Sequence, residues 1–362
     1  MKEERKHYLD SIRSMTVILV MLYHSAYVFN GVGVLGGFTG TEGFWLTDGL
    51  CTLVYPWFMV LMFCISGIAA RHSIEKRGVK RFFSERVAKL LVPSTLGLFV
   101  FHWISGIINI KIGGGLETIP PPLLYPIAVL SGTGPLWFAQ VLFIYSLSCK
   151  FLVKLNGGRF DKMCQKMNSL TILLLAFVIW GGAQILNMPI IVVYRLGIYF
   201  VAFLIGYFVL YHNDIITKVE KMLPLTLALS IVLGTIYMTS YLGSDYTQDK
   251  VLKSSITNIY LWTSILAILA LGKKFLNRSD GIWQYLRYNS FNLYVLHYLP
   301  IIVIGYLFRY YTTLPSGLCI VFTFIFDLAL TPLISFIIAK IPIVRYCVLG
   351  IRERKNEIQT DN

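Results

Sequence analysis

The sequence predicts an all-α integral membrane protein, a bundle of about ten transmembrane helices with both termini in the cytoplasm. Its 362 residues are 56% hydrophobic and only 14% charged, whereas about 25% of residues are charged in soluble domains. Apolar stretches of about 20 residues, the length that crosses a bilayer, recur along the whole chain. Basic residues are concentrated in alternate connections between these stretches, which is typical of cytoplasmic loops.

The ten predicted spans follow one another with short connections. They cover residues 12–30, 50–70, 90–110, 135–153, 169–187, 194–211, 223–242, 254–271, 290–309 and 316–340. Lys and Arg precede the first span, follow the last, and fill every second connection, so both chain ends are expected in the cytoplasm. We expect residues 1–345 to form the membrane domain and residues 346–362 a polar cytoplasmic tail.

Two connections on the opposite side are longer than the others. They cover residues 31–49 and 111–134 and are rich in Gly and Pro. Such composition favours turns over helices. We expect them to form lids or re-entrant turns.

Several functional classes find no support in composition or motifs. The net charge is +14, but the bases lie in short runs between apolar spans, so membrane topology explains them and no nucleic acid partner is expected. The six cysteines show no metal-binding spacing, so free thiols and no metal are expected. The chain lacks a P-loop, a G-x-S-x-G elbow, an H-E-x-x-H motif and a dinucleotide fingerprint.

The first span carries two polar residues that matter for chemistry, Arg13 and His24. They are eleven residues apart, which places them on one face of a helix, about 16 Å apart along its axis. His24 could simply form a hydrogen bond to a neighbouring helix, or it could act as a general base. With Arg13 at the cytoplasmic end of the span and the imidazole of His24 deeper on the same face, the helix suits a long ligand that has a phosphate group at one end and a reactive group at the other.

The connection after the second span contains a basic cluster with Arg81, Arg86 and Lys89. Arg86 and Lys89 share a helix face, because they are three residues apart. Guanidinium groups bind phosphates through paired hydrogen bonds, although positive charge on the cytoplasmic side explains the cluster equally.

Two late spans contribute further candidates. Ser290, Tyr294 and His297 lie at i, i+4 and i+7, so they form one stripe, which either joins helices or places His297 near the depth of His24. Asp327 lies near the middle of the last span, where a carboxylate needs a polar partner. Other intramembrane polar groups could line a cavity: His102, Gln140, Gln184 and Arg195.

Taken in order, four segments resemble the membrane acyltransferase-3 family, which includes polysaccharide O-acetyltransferases and a glucan succinyltransferase. The first segment is the opening Y-L-D-S-I-R-S-M-T-V-I-L-V-M-L-Y-H, an arginine, ten residues and a histidine. The others are M-F-C-I-S-G followed by R-F-F-S-E-R-V-A-K-L-L-V-P, then G-P-L-W-F, and S-F-N-L-Y-V-L-H. The resemblance covers most of residues 5–340.

The resemblance implies roles for individual residues. His24 would be the catalytic base or acyl-handling histidine, and Arg13 would lie near the donor. Arg86 would contact the donor phosphate, while Lys89 replaces a second arginine of many members and loses the paired geometry. The remaining matches have less defined roles: Ser66, Trp137, Ser290, Tyr294 and His297.

Together these features predict an inner-membrane acyltransferase. Acyl-CoA, either acetyl-CoA or another such as succinyl-CoA, would donate to a hydroxyl of an extracytoplasmic carbohydrate or glycan. Candidate catalytic residues are His24, His297 and Asp327, and Arg13, Arg81, Arg86 and Lys89 are candidates for binding the donor. A transporter or flippase that uses the same polar residues is the alternative. The sequence leaves open the acceptor, the acyl group, whether an acyl-histidine intermediate forms, the partner of Asp327 and the oligomeric state.

Overall fold

The computed structural model describes residues 7–34, 36–38, 43–188, 194–277 and 281–352. The basic residues before residue 7 and the predicted tail from residue 353 lie outside this part of the chain. The described residues are helical, apart from turns and one isolated antiparallel bridge between Asn187 and Arg195.

Most helices follow the predicted apolar stretches, but Pro121–Ser131 is helical although it lies in the connection 111–134, whose composition favoured turns. The helices are α1 (His7–Tyr27), α2 (Trp45–Arg77), α3 (Val79–Ile112), α4 (Pro121–Ser131), α5 (Gly134–Leu155), α6 (Arg159–Gln165), α7 (Ser169–Gln184), α8 (Leu196–Leu210), α9 (Asn213–Lys221), α10 (Leu223–Tyr241), α11 (Asp249–Leu252), α12 (Ser255–Phe275), α13 (Gly281–Leu296), α14 (Tyr298–Tyr311), α15 (Ser316–Lys340) and α16 (Pro342–Leu349).

Six of these helices are long and apolar enough to cross a membrane: α2, α3, α5, α10, α12 and α15. Three bent pairs raise the number to nine if each pair crosses once: α6–α7 (114°), α8–α9 (100°) and α13–α14 (54°). Helix α1, which corresponds to the first of the ten predicted spans, is not among these nine. Asp10, Arg13 and His24 lower its mean hydropathy, although its 21 residues extend about 31 Å.

Helix α1 nevertheless lies among the other helices. It packs against α2, α12, α13 and α15, and even its polar residues Ser11, Ser14 and Thr16 are buried. These three hydroxyls donate to the carbonyl of the residue four positions earlier, so their burial leaves no donor unpaired. The face that carries Arg13 and His24 is therefore held in place by neighbouring helices.

The glycine of the Ser66-Gly67 motif allows two helices to approach closely. A Cβ atom on Gly67 would lie 2.1 Å from the carbonyl oxygen of Phe203, and one on Gly206 would lie 2.0 Å from that of Cys64. Helices α2 and α8 therefore cross at a point where only glycine fits, as small residues permit in membrane bundles.

Two prolines distort helices close to the polar residues. Pro93 has no amide hydrogen and follows a π-helical turn at Val87–Leu91 that contains Lys89, because the regular hydrogen-bond ladder cannot continue into a proline. Pro300 also lacks an amide hydrogen, so the first turn of α14 cannot continue the hydrogen-bond ladder of α13. The bend between α13 and α14 is centred on His297, so the distorted backbone positions this imidazole.

A buried ion cluster joins α2 to α6 and to the connection between α8 and α9. Arg71 Nη1 and Nη2 donate to Asp161 Oδ1 and Oδ2 at 2.5 and 2.7 Å, and His212 Nε2 donates to Oδ1 at 3.2 Å. Burial alone would raise the pKa of Asp161, but the hydrogen bonds from Arg71 outweigh it and lower that pKa to about 2. Burial, followed by the positive charge of Arg71, lowers the pKa of His212. The cluster is charged at neutral pH through Arg71 and Asp161.

Candidate active site

Two neighbouring cavities lie inside the helical bundle. The larger, about 720 Å³, contains His24, and we call it the histidine cavity. The smaller, about 600 Å³, contains a group of basic side chains, and we call it the basic cavity. Helix α1 contributes to both, since Val20 and His24 line the first while Arg13 and Val17 line the second.

Aromatic side chains form most of the wall of the histidine cavity. The rings that surround His24 most closely are Tyr23, Tyr27 and Tyr298, with centroids 5.3 to 6.0 Å from the imidazole. Further lining side chains include Tyr55, Phe58, Trp137, Tyr194, Arg195, Tyr199, Asp245, Thr247 and Gln248. A large, mostly apolar pocket with a few convergent polar groups is the usual form of a small-molecule site.

His24 and His297 contact each other across α1 and the α13–α14 bend. His297 Nε2 lies 3.2 Å from His24 Nδ1, and His297 Nδ1 lies 2.8 Å from the carbonyl oxygen of Tyr294. His24 Nδ1 also lies 2.9 Å from the carbonyl oxygen of Val20. His297 is fully buried and lines neither cavity, whereas His24 lines the histidine cavity.

These contacts define the tautomer of both rings when they are neutral. The Tyr294 carbonyl can only accept, so His297 Nδ1 carries a hydrogen and its Nε2 has a free lone pair. His24 Nδ1 must then donate its hydrogen to His297 Nε2 and to the Val20 carbonyl. The remaining nitrogen, His24 Nε2, is unprotonated, which is the form a general base requires.

Tyr294 lines both cavities. Its hydroxyl donates to the carbonyl oxygen of Pro135, and its ring packs edge-on against Phe138 at a centroid distance of 5.6 Å. The side chain is only 4% exposed. Among the described residues, Tyr294 is the one lining residue that the two cavities share, and we interpret it as a partition between them.

The basic cavity combines several positive charges with few counter-charges. Arg13, Arg77, Arg86, Lys89 and Arg287 line it together with Glu85. Arg77 pairs with Glu85 at 2.7 Å, and Arg13 pairs with Asp10 at 3.1 Å. Within the described part of the chain, Arg86 and Lys89 form no ion pair. Unpaired bases at a cavity wall are suited to binding phosphate groups.

The structure brings most of the predicted site residues to these cavities. Ser66 and Ser290 line the basic cavity, and Trp137 lines the histidine cavity. Besides His297, two predicted residues line neither cavity, Arg81 and Asp327. The Arg81 side chain is 68% exposed and pairs with Glu85 at 3.3 Å, outside the basic cavity.

Asp327 also lines neither cavity. It is fully buried in α15, where Oδ1 accepts a hydrogen bond from the Thr331 hydroxyl at 2.6 Å. Its other oxygen, Oδ2, has no hydrogen-bond partner among the described residues. A catalytic role for Asp327 remains a prediction without a contact to either histidine.

Sequence reasoning missed several lining residues. Arg287 lies three positions before Ser290 on the same helix, so extending that stripe by one turn would have found it. Tyr298 follows His297 directly. Successive side chains on a regular helix point about 100° apart, so Tyr298 would lie on another face of the helix than His297. The bend between α13 and α14 brings it beside His24. Asp245 comes from a connection that the sequence did not single out.

Comparison with protein-family models identifies the family and the general activity. Residues 6–338 match the model described as an acyltransferase domain, that of the acyltransferase-3 family. Comparisons with curated proteins and with solved structures found no match. The family match spans more than nine-tenths of the chain and includes both cavities. The chain therefore belongs to the acyltransferase-3 family and is a membrane acyltransferase.

Proposed function

We propose that the protein transfers an acetyl group from acetyl-CoA, bound in the basic cavity, to a carbohydrate hydroxyl in the histidine cavity. The observation that carries this proposal is the position of Tyr294. It lies between the wall of the basic cavity, which carries Arg86 and Lys89, and an imidazole whose Nε2 is unprotonated when the ring is neutral. Arg13 and His24 are joined by about 16 Å of helix α1, which is comparable to an extended pantetheine arm.

The donor would be held mainly by charge. Arg86 and Lys89 would contact the CoA phosphates, because neither has a carboxylate partner among the described residues. Arg13 would lie near the pyrophosphate end of the pantetheine arm. The arm would then follow α1 past Ser66 and Ser290 and place its thioester beside Tyr294.

The chemical step would use His24 as a general base. The acceptor oxygen attacks the thioester carbonyl carbon while His24 Nε2 takes the hydroxyl proton. The C–S bond of the tetrahedral intermediate then breaks, and the CoA sulfur takes the proton from protonated His24 and leaves as the free thiol. His297 would act as a positioning residue, since it is buried behind His24 and keeps the Nδ1 hydrogen of His24 engaged.

The aromatic wall supports a carbohydrate as the acceptor. Sugar rings present flat C–H faces that pack on Trp137 and the surrounding tyrosines, while their hydroxyls need the few polar groups of such a pocket. In the proposed orientation the basic cavity faces the cytoplasm, where acyl-CoA is made, and the histidine cavity faces outward. Helix α1 is then the tenth span, in the plasma membrane.

The deciding experiment replaces His24 with alanine. Cells that express the protein should carry O-acetylated surface glycans, detected by mass spectrometry, and His24→Ala should abolish the modification. Loss of a general base lowers the rate by about 10²–10⁴-fold. His72→Ala is the matched control, because His72, like His24, lies within a helix (α2) but lines neither cavity. Equal acetylation in cells with the wild-type protein and with a folded His24→Ala variant would refute the proposal.

A second assay separates transfer from transport. Purified protein should release free CoA thiol from acetyl-CoA when acceptor is present. A transporter or flippase that used the same polar residues would release none.

A further inference from the structure

Arg195 is buried in the wall of the histidine cavity without a counter-charge. Its side chain is 2% exposed, and its Nη2 donates to the carbonyl oxygen of Leu252 at 3.2 Å. Its Nε has no hydrogen-bond partner among the described residues. No described carboxylate lies within ion-pair distance of this guanidinium.

The two carboxylates of the same cavity interact with other groups. Asp245 Oδ1 accepts from the backbone nitrogen and the hydroxyl of Thr247 at 2.8 and 2.5 Å. Asp249 pairs with Lys253 at 2.5 Å. Among the described residues Arg195 therefore has no ion-pair partner, although an unpaired buried charge costs several kcal/mol.

The backbone around Arg195 adds to the positive potential. Arg195 immediately precedes α8, whose first turn has no side-chain cap, so the partial positive charge of the helix start lies at the backbone of this residue. The bridge to Asn187 pairs the same backbone. The side chain extends from this position into the wall of the histidine cavity, where Nη2 is held by the carbonyl oxygen of Leu252.

We propose that Arg195 binds an anionic substituent, a carboxylate or a phosphate, on the acyl acceptor. This inference rests on the proposed function, since it assigns the acceptor to the histidine cavity. A carboxylate or phosphate supplies two oxygens, which match the paired donors of a guanidinium. The acceptor is then an acidic glycan or a polyol phosphate, held so that one hydroxyl reaches His24.

The test measures binding of matched pairs of probes to the purified full-length protein by titration calorimetry. Cellobiouronic acid and cellobiose differ by one carboxylate, and glycerol 3-phosphate and glycerol differ by one phosphate. Wild-type protein should bind at least one acidic probe about 10- to 100-fold more tightly than its neutral partner, the range expected for a charge-assisted hydrogen bond. The pair that shows the preference identifies the anion.

Variants then locate the effect. Arg195→Gln should remove the preference for the acidic probe and leave binding of the neutral probe unchanged, while Arg195→Lys should retain part of it. Lys250→Gln is the control, because it removes one positive charge from an exposed residue on the nearby helix α11 that lines neither cavity. Equal binding of acidic and neutral probes by the wild type would overturn the proposal, and so would an Arg195→Gln variant that keeps the preference.

The outcome is independent of acyl transfer. Binding is measured without acyl-CoA, so a preference for acidic probes together with an absence of CoA release would refute the proposed function and retain the anion site. CoA release without a preference for acidic probes would support the proposed function and refute the anion site. If Arg195→Gln does not fold, the wild-type comparison and Arg195→Lys still decide the question.

Discussion

The replacement of His297 tests whether this residue positions His24 or acts on the substrate itself. His24 Nδ1 has two acceptors, the Val20 carbonyl at 2.9 Å and His297 Nε2 at 3.2 Å. His297→Leu removes one of them and leaves the other. Losing one hydrogen bond costs about 0.5–1.5 kcal/mol, which corresponds to a decrease in kcat of about 2- to 12-fold.

Glutamine provides the matched variant at this position. Its side-chain oxygen can take the place of Nε2 and accept from His24, so His297→Gln should stay within about twofold of the wild type. By contrast, His24→Ala should lose about 10²–10⁴-fold, because the base itself is gone.

The assay follows CoA release by purified protein at saturating acetyl-CoA and acceptor, with kcat and KM measured separately. The KM for acetyl-CoA should not change, because His297 does not line the basic cavity. The dependence of kcat on pH should shift in His297→Leu, since the imidazole of His24 loses a partner. If a folded His297→Leu variant is as inactive as His24→Ala, His297 takes part in the chemistry and the positioning argument fails.

Three further predictions concern the other parts of the molecule. Arg86→Gln should raise the KM for acetyl-CoA about tenfold, whereas Arg81→Gln should change it less than twofold; equal effects would contradict the assignment of the basic cavity. Tyr294→Ala should increase CoA release in the absence of acceptor, because water reaches the thioester, while Tyr294→Phe should not, as its ring still separates the cavities. Because burial lowers the pKa of His212, the folded protein binds fewer protons than the unfolded chain below about pH 6.5, so its stability falls as the pH drops. Thermal unfolding of His212→Gln between pH 5 and pH 8 should show a smaller pH dependence than the wild type, and an unchanged slope would exclude this origin.

The sequence was informative about each helix separately. Apolar length located the helices, and helix periodicity placed Arg13 and His24 on one face, where the structure has them lining adjoining cavities. Periodicity reports the face of a residue on its own helix, however, and does not identify the helix that packs against that face. The contact between His24 and His297 joins residues 273 positions apart, and depth in the membrane was its only sequence signal.

Local distortions and side-chain direction were harder to predict. The bend at His297, three residues before Pro300, rotates α14 relative to α13. A regular helix without this bend would place Tyr298 away from His24. Arg81 and Arg86 belong to one basic cluster, but only the second faces the cavity, because Glu85 pairs with the first at the surface. The direction of the Asp327 side chain was equally hard to predict, since its described partner is Thr331 on its own helix and not a histidine.

The partition formed by Tyr294 also bears on how well the membrane stays insulated. In the proposed orientation, water enters the bundle from both compartments and is stopped at one aromatic ring and its neighbours. Ions crossing that layer would lose their hydration without gaining new ligands, at a cost of many kcal/mol. An enzyme of this shape can work on substrates from two compartments at once and still leave the electrochemical gradient of the cell intact.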